Sequence, residues 1–308
     1  MGKVHYQLIT TYYKLMRILR AAGMNPTPQQ LRAAVDKLAL MNPLPRTAEM
    51  EKTELGGVPA WYVHQRKRNA SKLFFVIHGG GFVFGSFLTH RAMIAYLNRL
   101  TGYEAYAPEY RLAPEHPFPI PLEDCYSAYT AMVERHPDAS IAILGDSAGG
   151  NLAASLVVLL RERGHRLPDH LVLFSPWMDL SPESQSVLKN RNEDSLFDKD
   201  DLVHYSALYL AGQSAEMPQC SPLRADLEGF PPTLIQVAGN ELLYYDSEEF
   251  AERLKAAGVR TVCSVYPLLF HVWQLFPHLV PEAKQALDEV AEFVLAPSNE
   301  SQCTVSKD

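Results

Sequence analysis

The stretch from Ile141 to Leu160, "IAILGDSAGGNLAASLVVLL", constrains this chain more than any other. Its first four residues form an apolar run typical of a buried strand, and from Asn151 to Leu160 the pattern is helical. Between the two, "GDSAGG" leaves no room for a long turn. Ser147 therefore stands at the apex of an abrupt strand-to-helix reversal, hemmed by glycine and alanine. A reversal this tight needs glycines where its two arms pass close together. It also belongs to a sheet whose strands alternate with helices.

The chain from about Leu73 onward supplies that alternation. Strand-like runs fall at 72–77, 103–108, 141–144, 170–176, 233–239 and 261–267. Helical patterns at 88–101, 120–135, 151–163, 247–257 and 282–295 accompany them. Such an order implies a largely parallel sheet covered by helices on both faces. Ahead of it, "GVPAWYVHQR" (57–66) reads as an antiparallel edge strand. Two regions break the alternation. Residues 1–45 look mostly helical and end in the proline-punctuated "MNPLPRT", and residues 177–230 place a helix near 198–211 between loops. Both are expected to form a cap over the sheet edge, dividing the core into 46–176 and 231–296. The tail 297–308 is polar and expected to be disordered.

Bulk properties narrow the function. The net charge of −7 over 308 residues leaves no basic face for phosphates, which argues against nucleic acid. Cys125, Cys220, Cys263 and Cys303 are scattered without paired spacing, as expected for reduced thiols in a cytoplasmic protein. Near the N-terminus, Lys14, Arg17 and Arg20 interrupt any apolar signal region, while Leu8, Tyr12, Leu15, Met16 and Leu19 share one helical stripe. That stripe predicts a helix docked on the protein. The longest apolar run, near Leu152 to Leu160, falls far short of the ~20 residues a membrane span needs.

Residues 145–149 match Gly-x-Ser-x-Gly between a strand and a helix, which is the pattern of a nucleophile elbow. The strained turn holds the serine hydroxyl out at the carboxyl ends of the strands. The helix that follows aims backbone N–H groups at any anion that develops there. "HGGGFVFG" (78–85) comes after the first parallel strand, where three glycines let the backbone approach a substrate oxygen. A dinucleotide loop would need a third glycine at position 84, where Phe84 stands, and no Walker-type lysine follows.

A serine nucleophile needs a base and an acid to orient it. Of the eleven histidines, His271 is best placed, just past the strand-like run 261–267. Two acids, Glu241 and Asp246, follow the preceding strand in "GNELLYYDS". Glu241 comes two residues after the strand ends and so is well placed. Asp246, just before Ser247, has the position and residue class of a helix N-cap.

With these pieces in order, the chain resembles the hormone-sensitive-lipase-like (family IV) branch of the α/β-hydrolases. The resemblance rests on "HGGGFVFGS", "YRLAPEHPFP", "GDSAGGNLA", "SPWMDL", "GNELLYYDS" and "FHVWQLFP" across residues 57–295. It implies an α/β-hydrolase fold, with an eight-stranded, mostly parallel sheet and a helical cap, and a carboxylic-ester hydrolase without cofactor or metal. Ser147 would be the nucleophile, His271 the base, Glu241 the acid, and Gly80, Gly81 and Ala148 the oxyanion-hole donors. "YRLAPE" would be a structural loop near the site. Short-chain esters would be the substrates, and a homodimer is the oligomer such relatives often form. Two departures stand out: the usual Asp-Pro-Leu reads Glu241-Leu242-Leu243, and the usual His-Gly reads His271-Val272. Both resemble a branch that uses glutamate as the acid. Two other functions fit parts of the pattern: an amide or formamide hydrolase with the same triad, and a non-catalytic small-molecule receptor on the same fold.

Overall fold

A computed structural model of the chain describes residues 27–44, 48–68, 70–189 and 198–296. The stripe from Leu8 to Leu19, Cys303 and the tail beyond 296 lie outside the described residues.

Among the described residues, eight strands form one sheet: β1 (Glu49–Leu55), β2 (Val58–His64), β3 (Lys72–Ile77), β4 (Glu104–Pro108), β5 (Ser140–Asp146), β6 (His170–Phe174), β7 (Thr233–Ala238) and β8 (Thr261–Tyr266), in the order β1-β2-β4-β3-β5-β6-β7-β8. Only the β1–β2 and β2–β4 pairs are antiparallel; every later pair is parallel. Where the sequence pattern gave 57–66 as the edge strand, β2 lies inside the sheet and β1 is the edge. "EMEKTEL" escaped that reading because four of its seven side chains are charged and exposed, as edge strands often are.

The central strands read as continuous apolar runs because both faces are covered. Their side chains divide by the strand period of two. Phe75, Ile77, Ile143 and Leu173 face a core shared with α3 (Ile120–Arg135), α4 (Ser147–Glu162) and α7 (Tyr244–Ala256). Phe74, Val76, Leu144 and Phe174 face the other, shared with α2 (Phe87–Thr101) and α8 (Pro281–Leu295). Three further helices do not cover a sheet face themselves: α1 (Pro28–Ala39), α5 (Gln185–Leu188) and α6 (Lys199–Leu210), the last adding Leu202, Tyr205 and Tyr209 to the first core.

The parallel register sets where the loops emerge. Ile77 is level with Gly145, Asp146 with Phe174, and Ala238 with Tyr266. The loops after β3, β5, β7 and β8 therefore open at the carboxyl end of the sheet, the ordinary place for a site in an open α/β fold. Among the described residues, no helix is long and apolar enough to cross a membrane.

Candidate active site

The turn between β5 and α4 is tighter than the sequence pattern suggested, since α4 begins at Ser147 itself rather than at Asn151. Ser147 has φ 54°, a left-handed conformation that costs a non-glycine residue energy and survives only where its surroundings impose it. The flanking glycines do so. A side chain on Gly149 would lie 2.3 Å from the Ile77 carbonyl oxygen, and one on Gly145 would lie 2.3 Å from that of Gly149. Glycine is a poor helix former, but no other residue fits where the helix crosses β3 so closely. The Ser147 carbonyl accepts a hydrogen bond from Trp177 N at 3.1 Å, which fixes the strained unit from behind.

Ser147 and His271 both line a cavity of about 360 Å³. His271 lies on the loop after β8 and is 8% exposed; Glu241, on the loop after β7, is 1% exposed. His271 Nδ1 is 2.7 Å from Glu241 Oε2, while Glu241 Oε1 accepts the Ala238 N–H at 2.9 Å. Both carboxylate oxygens are thus held, one by the imidazole and one by the end of its own strand.

Asp246 does not cap α7. The helix starts three residues before the expected Ser247, its N-cap position is Leu243, and Asp246 lies in the first turn. The Asp246 carboxylate is engaged elsewhere. It accepts the Met178 N–H at 2.8 Å, the Asp179 N–H at 3.0 Å and the Ser186 hydroxyl, tying the segment after β6 to α7.

A second imidazole–carboxylate pair, invisible in the sequence, stands beside the elbow. His90 Nε2 in α2 meets Asp146 Oδ1 at 2.7 Å, and the same oxygen accepts the Gly79 N–H at 2.9 Å. Burial raises the Asp146 pKa, but the charge and hydrogen bond of His90 outweigh it and hold the carboxyl below its ordinary value. Burial likewise opposes the charge on His90, yet the Asp146 carboxylate keeps that imidazole above its usual range. His90 Nδ1 is also engaged, at 2.7 Å from Thr89 Oγ1 and 3.2 Å from the Ser86 carbonyl. His78, stacked on Tyr110, is pushed down to about 4 by burial and by the neighbouring His90 charge.

Gly80 belongs to the cavity wall and has φ 118°, open only to glycine, with the Phe84 backbone 2.1 Å from where a side chain would begin. Gly81 sits one step behind, against the Tyr205 ring of α6. Ala148 is fully buried in the first turn of α4, where backbone N–H groups have no acceptor within the helix.

The opposite wall comes from α1 and the turn after it, through Val35, Leu38, Ala39, Met41, Asn42 and Pro43. Among the described residues, 177–230 contribute nothing to this wall. Polar contacts hold α1 and the turn after it in place. Arg32 reaches the carbonyls of Val83 and Ala113 and pairs with Glu115. Ser86 Oγ donates to Asp36 at 2.6 Å, and Asn42 Nδ2 donates to the Leu275 carbonyl at 2.8 Å. The Arg32 guanidinium lowers the Glu115 pKa to about 2.

One group among the described residues has metal-ligand spacing: Glu49, Glu51 and His64, on β1 and β2. Arg68 already bonds both oxygens of Glu51, at 2.7 and 2.9 Å, so that carboxylate carries its own counter-charge. None of the three lines the cavity.

The family described as having an α/β hydrolase fold matches residues 74–275. Among characterised proteins, the chain is 35% identical over 289 residues to an esterase of Acinetobacter venetianus, covering 92% of this chain and 95% of that one. It is 33% identical to an acetyl-hydrolase of Streptomyces hygroscopicus, over 80% of this chain and 82% of the other. Among solved structures, it superposes on an esterase from the bacterial hormone-sensitive lipase family with a TM-score of 0.85, at 37% identity, covering 92% of this chain and 96% of that one. A hormone-sensitive-lipase homologue from a metagenome library gives 0.85 at 32% identity, over 96% and 97%.

Proposed function

The chain belongs to the α/β-hydrolase fold family, in its hormone-sensitive-lipase-like branch, and from that premise we propose that it is a serine carboxylesterase acting through Ser147. The observation that carries the reading is the 2.7 Å contact between His271 Nδ1 and Glu241, in the wall of the same cavity as the strained serine. With Nδ1 committed to the carboxylate, Nε2 is the atom that exchanges protons with Ser147. His271 takes the hydroxyl proton as Ser147 Oγ bonds to the ester carbonyl carbon, and the carbonyl oxygen becomes an anion. Glu241 stabilises the imidazolium. The N–H groups of Gly80, Gly81 and Ala148 receive the anion, each worth about 3 kcal/mol if removed. When the carbonyl re-forms, the alcohol leaves with the proton from His271. Water, deprotonated by the same imidazole, then cleaves the acyl-enzyme and releases the acid.

Short acyl chains are the proposed substrates. A cavity of about 360 Å³ is small, near the lower end of the ~300–1,000 Å³ usual for small-molecule sites. In this reading the α1 wall selects the substrate, while 177–230 braces the site from outside through Tyr205 at Gly81 and the backbone of 178–179 at Asp246. Three thiols, Cys125, Cys220 and Cys263, stand unpaired, which supports work in the reducing cytoplasm. A homodimer through the β8 edge is also proposed. That outermost strand exposes Val262 and Val265, and two copies pairing antiparallel about a twofold axis would cover both edges. Light scattering on Val265→Lys tests the dimer; an unchanged mass would remove this interface.

An organophosphate probe with peptide mapping tests the chemistry. A single adduct on Ser147, absent after prior inactivation with a slow ester substrate, is the expected result. No adduct, or one elsewhere, would overturn the assignment.

A further inference from the structure

The chain turns at Val272, one residue past His271, with φ 55° and ψ 46°. That left-handed conformation is open to glycine and resisted by other residues, most of all by β-branched ones, whose side chains crowd the backbone. Among the described non-glycine residues with positive φ, Val272 alone is β-branched. A residue held in so costly a conformation needs something that outweighs the cost.

Burial of the side chain does so. Val272 is 4% exposed and belongs to the core that α2 and α8 share with the sheet, together with Phe87, Met93, Leu287 and Val290. Its neighbours go elsewhere: Phe270 and Trp273 belong to a separate core with Val280, Ala283 and Ala286. His271 is therefore flanked along the chain by side chains sunk in two different cores. The Val272 carbonyl also accepts the Leu275 N–H at 3.3 Å, closing the short turn Trp273–Leu275. Glu241 orients the imidazole through Nδ1, but that contact does not place the backbone that carries the ring. Glycine at 272 would make the turn freely and anchor nothing.

We propose that Val272 is a positioning residue, whose side chain in the α2–α8 core pins the loop so that His271 reaches Glu241 and Ser147 together. This deepens the esterase reading, and only the turnover part of its test rests on that reading. Val272→Gly and Val272→Ala both remove the anchor, while glycine alone also frees the backbone. Each variant is assayed for kcat and KM on ethyl butyrate, and by proton NMR of the histidine ring N–H groups. The proton between His271 Nδ1 and Glu241 is assigned by its absence from His271→Ala. The proton between His90 Nε2 and Asp146, assigned in the same way with His90→Ala, reports folded protein and scales each kcat.

In both variants kcat should fall about 10- to 100-fold, the scale of a small displacement at a reacting group, while KM stays within about twofold. The His271 resonance should broaden or vanish in both, with the His90 resonance unchanged. A kcat within about threefold of wild type in either variant would overturn the proposal. So would a His271 resonance as sharp as in wild type, whatever the turnover. A raised KM at unchanged kcat would instead give Val272, which borders the cavity, a contact with substrate, and the pin would be abandoned. Loss of both resonances in both variants sinks it too, since Val272 would then hold the fold and not the loop. If wild type does not cleave the ester, the esterase reading falls, and the two resonances, which need no substrate, still decide whether Val272 holds His271.

Discussion

His271 meets Glu241 at 2.7 Å, and His90 meets Asp146 at 2.7 Å, both beside the cavity that holds Ser147. By distance and burial the two pairs are twins. They differ in what holds the rest of each residue. The second oxygen of Glu241 is fixed by a backbone N–H at the end of β7, so the carboxylate is a mount for the imidazole. In the other pair Asp146 Oδ1 also holds Gly79, and the second nitrogen of His90 is taken by Thr89 and Ser86. His90 has no nitrogen left to serve as a base. Its contact with Asp146 holds that carboxylate, and through Asp146 the glycine loop, against the elbow. A short imidazole–carboxylate contact therefore assigns no role by itself; the commitments of the other atoms do.

The largest expected effect tests the residue both pairs surround. Ser147→Ala should lower turnover on a short ester by about 10⁵–10⁶-fold, with circular dichroism unchanged because the replacement is small. Retention of a tenth of the activity in folded protein would place the nucleophile elsewhere and dissolve the comparison. Next comes the pair assigned to proton transfer. Glu241→Gln keeps the shape but removes the charge that stabilises the imidazolium, and turnover should fall by about 10²–10⁴-fold near neutral pH. Steady-state kinetics on the same ester provide the check, and a loss under threefold would mean that Glu241 only positions its own loop.

The pair assigned to positioning should respond differently. His90→Ala leaves Asp146 buried without its counter-charge, an omission that costs about 3–5 kcal/mol of stability. Turnover should fall only about tenfold, well short of the cost of losing a base, and the pH–rate profile should keep the shape set by His271. Denaturant unfolding and a pH–rate series separate the two quantities. A profile that loses its acid limb in His90→Ala would give His90 the role assigned here to His271.

The difference between the pairs also shows what a sequence can carry. Glu241 and His271 were legible because each follows a strand whose apolar run is easy to see, and strand order alone brings their loops together. The His90–Asp146 pair spans 56 positions and joins a helix to a strand end, so no spacing announces it. Most of the sheet was legible for the same reason as the Glu241–His271 contact: buried parallel strands are unbroken apolar runs. β1 was not, because "EMEKTEL" is an exposed edge whose pairing with β2, not its composition, makes it a strand. The start of α4 was hidden by Gly149 and Gly150, which propensity counts against a helix and which close approach to β3 and Pro176 requires.

Asp246 sharpens the comparison from outside, since it is a buried carboxylate that holds backbone instead of an imidazole. Burial pushes its pKa up to about 7, despite hydrogen bonds from Ser186, Asp179 and Met178 that favour the charged form. The native state thus retains a proton that the unfolded chain, with an ordinary carboxyl near ~4, has already lost. The stability this group confers is fully present below about pH 4 and fades as pH rises through about 7. Asp246→Asn copies the shape of the protonated form. Its side-chain oxygen accepts from Met178 and Asp179, and its amide donates to Ser186 once that hydroxyl rotates. Near pH 5 the variant should lie within about 1 kcal/mol of wild type, and from pH 5 to 8 its unfolding midpoint should fall less steeply than wild type. Activity on a short ester should change by less than about twofold, because Asp246 lies outside the cavity wall. Thermal melts at pH 5, 6.5 and 8, with initial rates on the same samples, decide it. Parallel midpoint curves would show that Asp246 is already ionised at pH 5. A large loss of turnover in folded Asp246→Asn, with Glu241→Gln active, would move the orienting acid to Asp246.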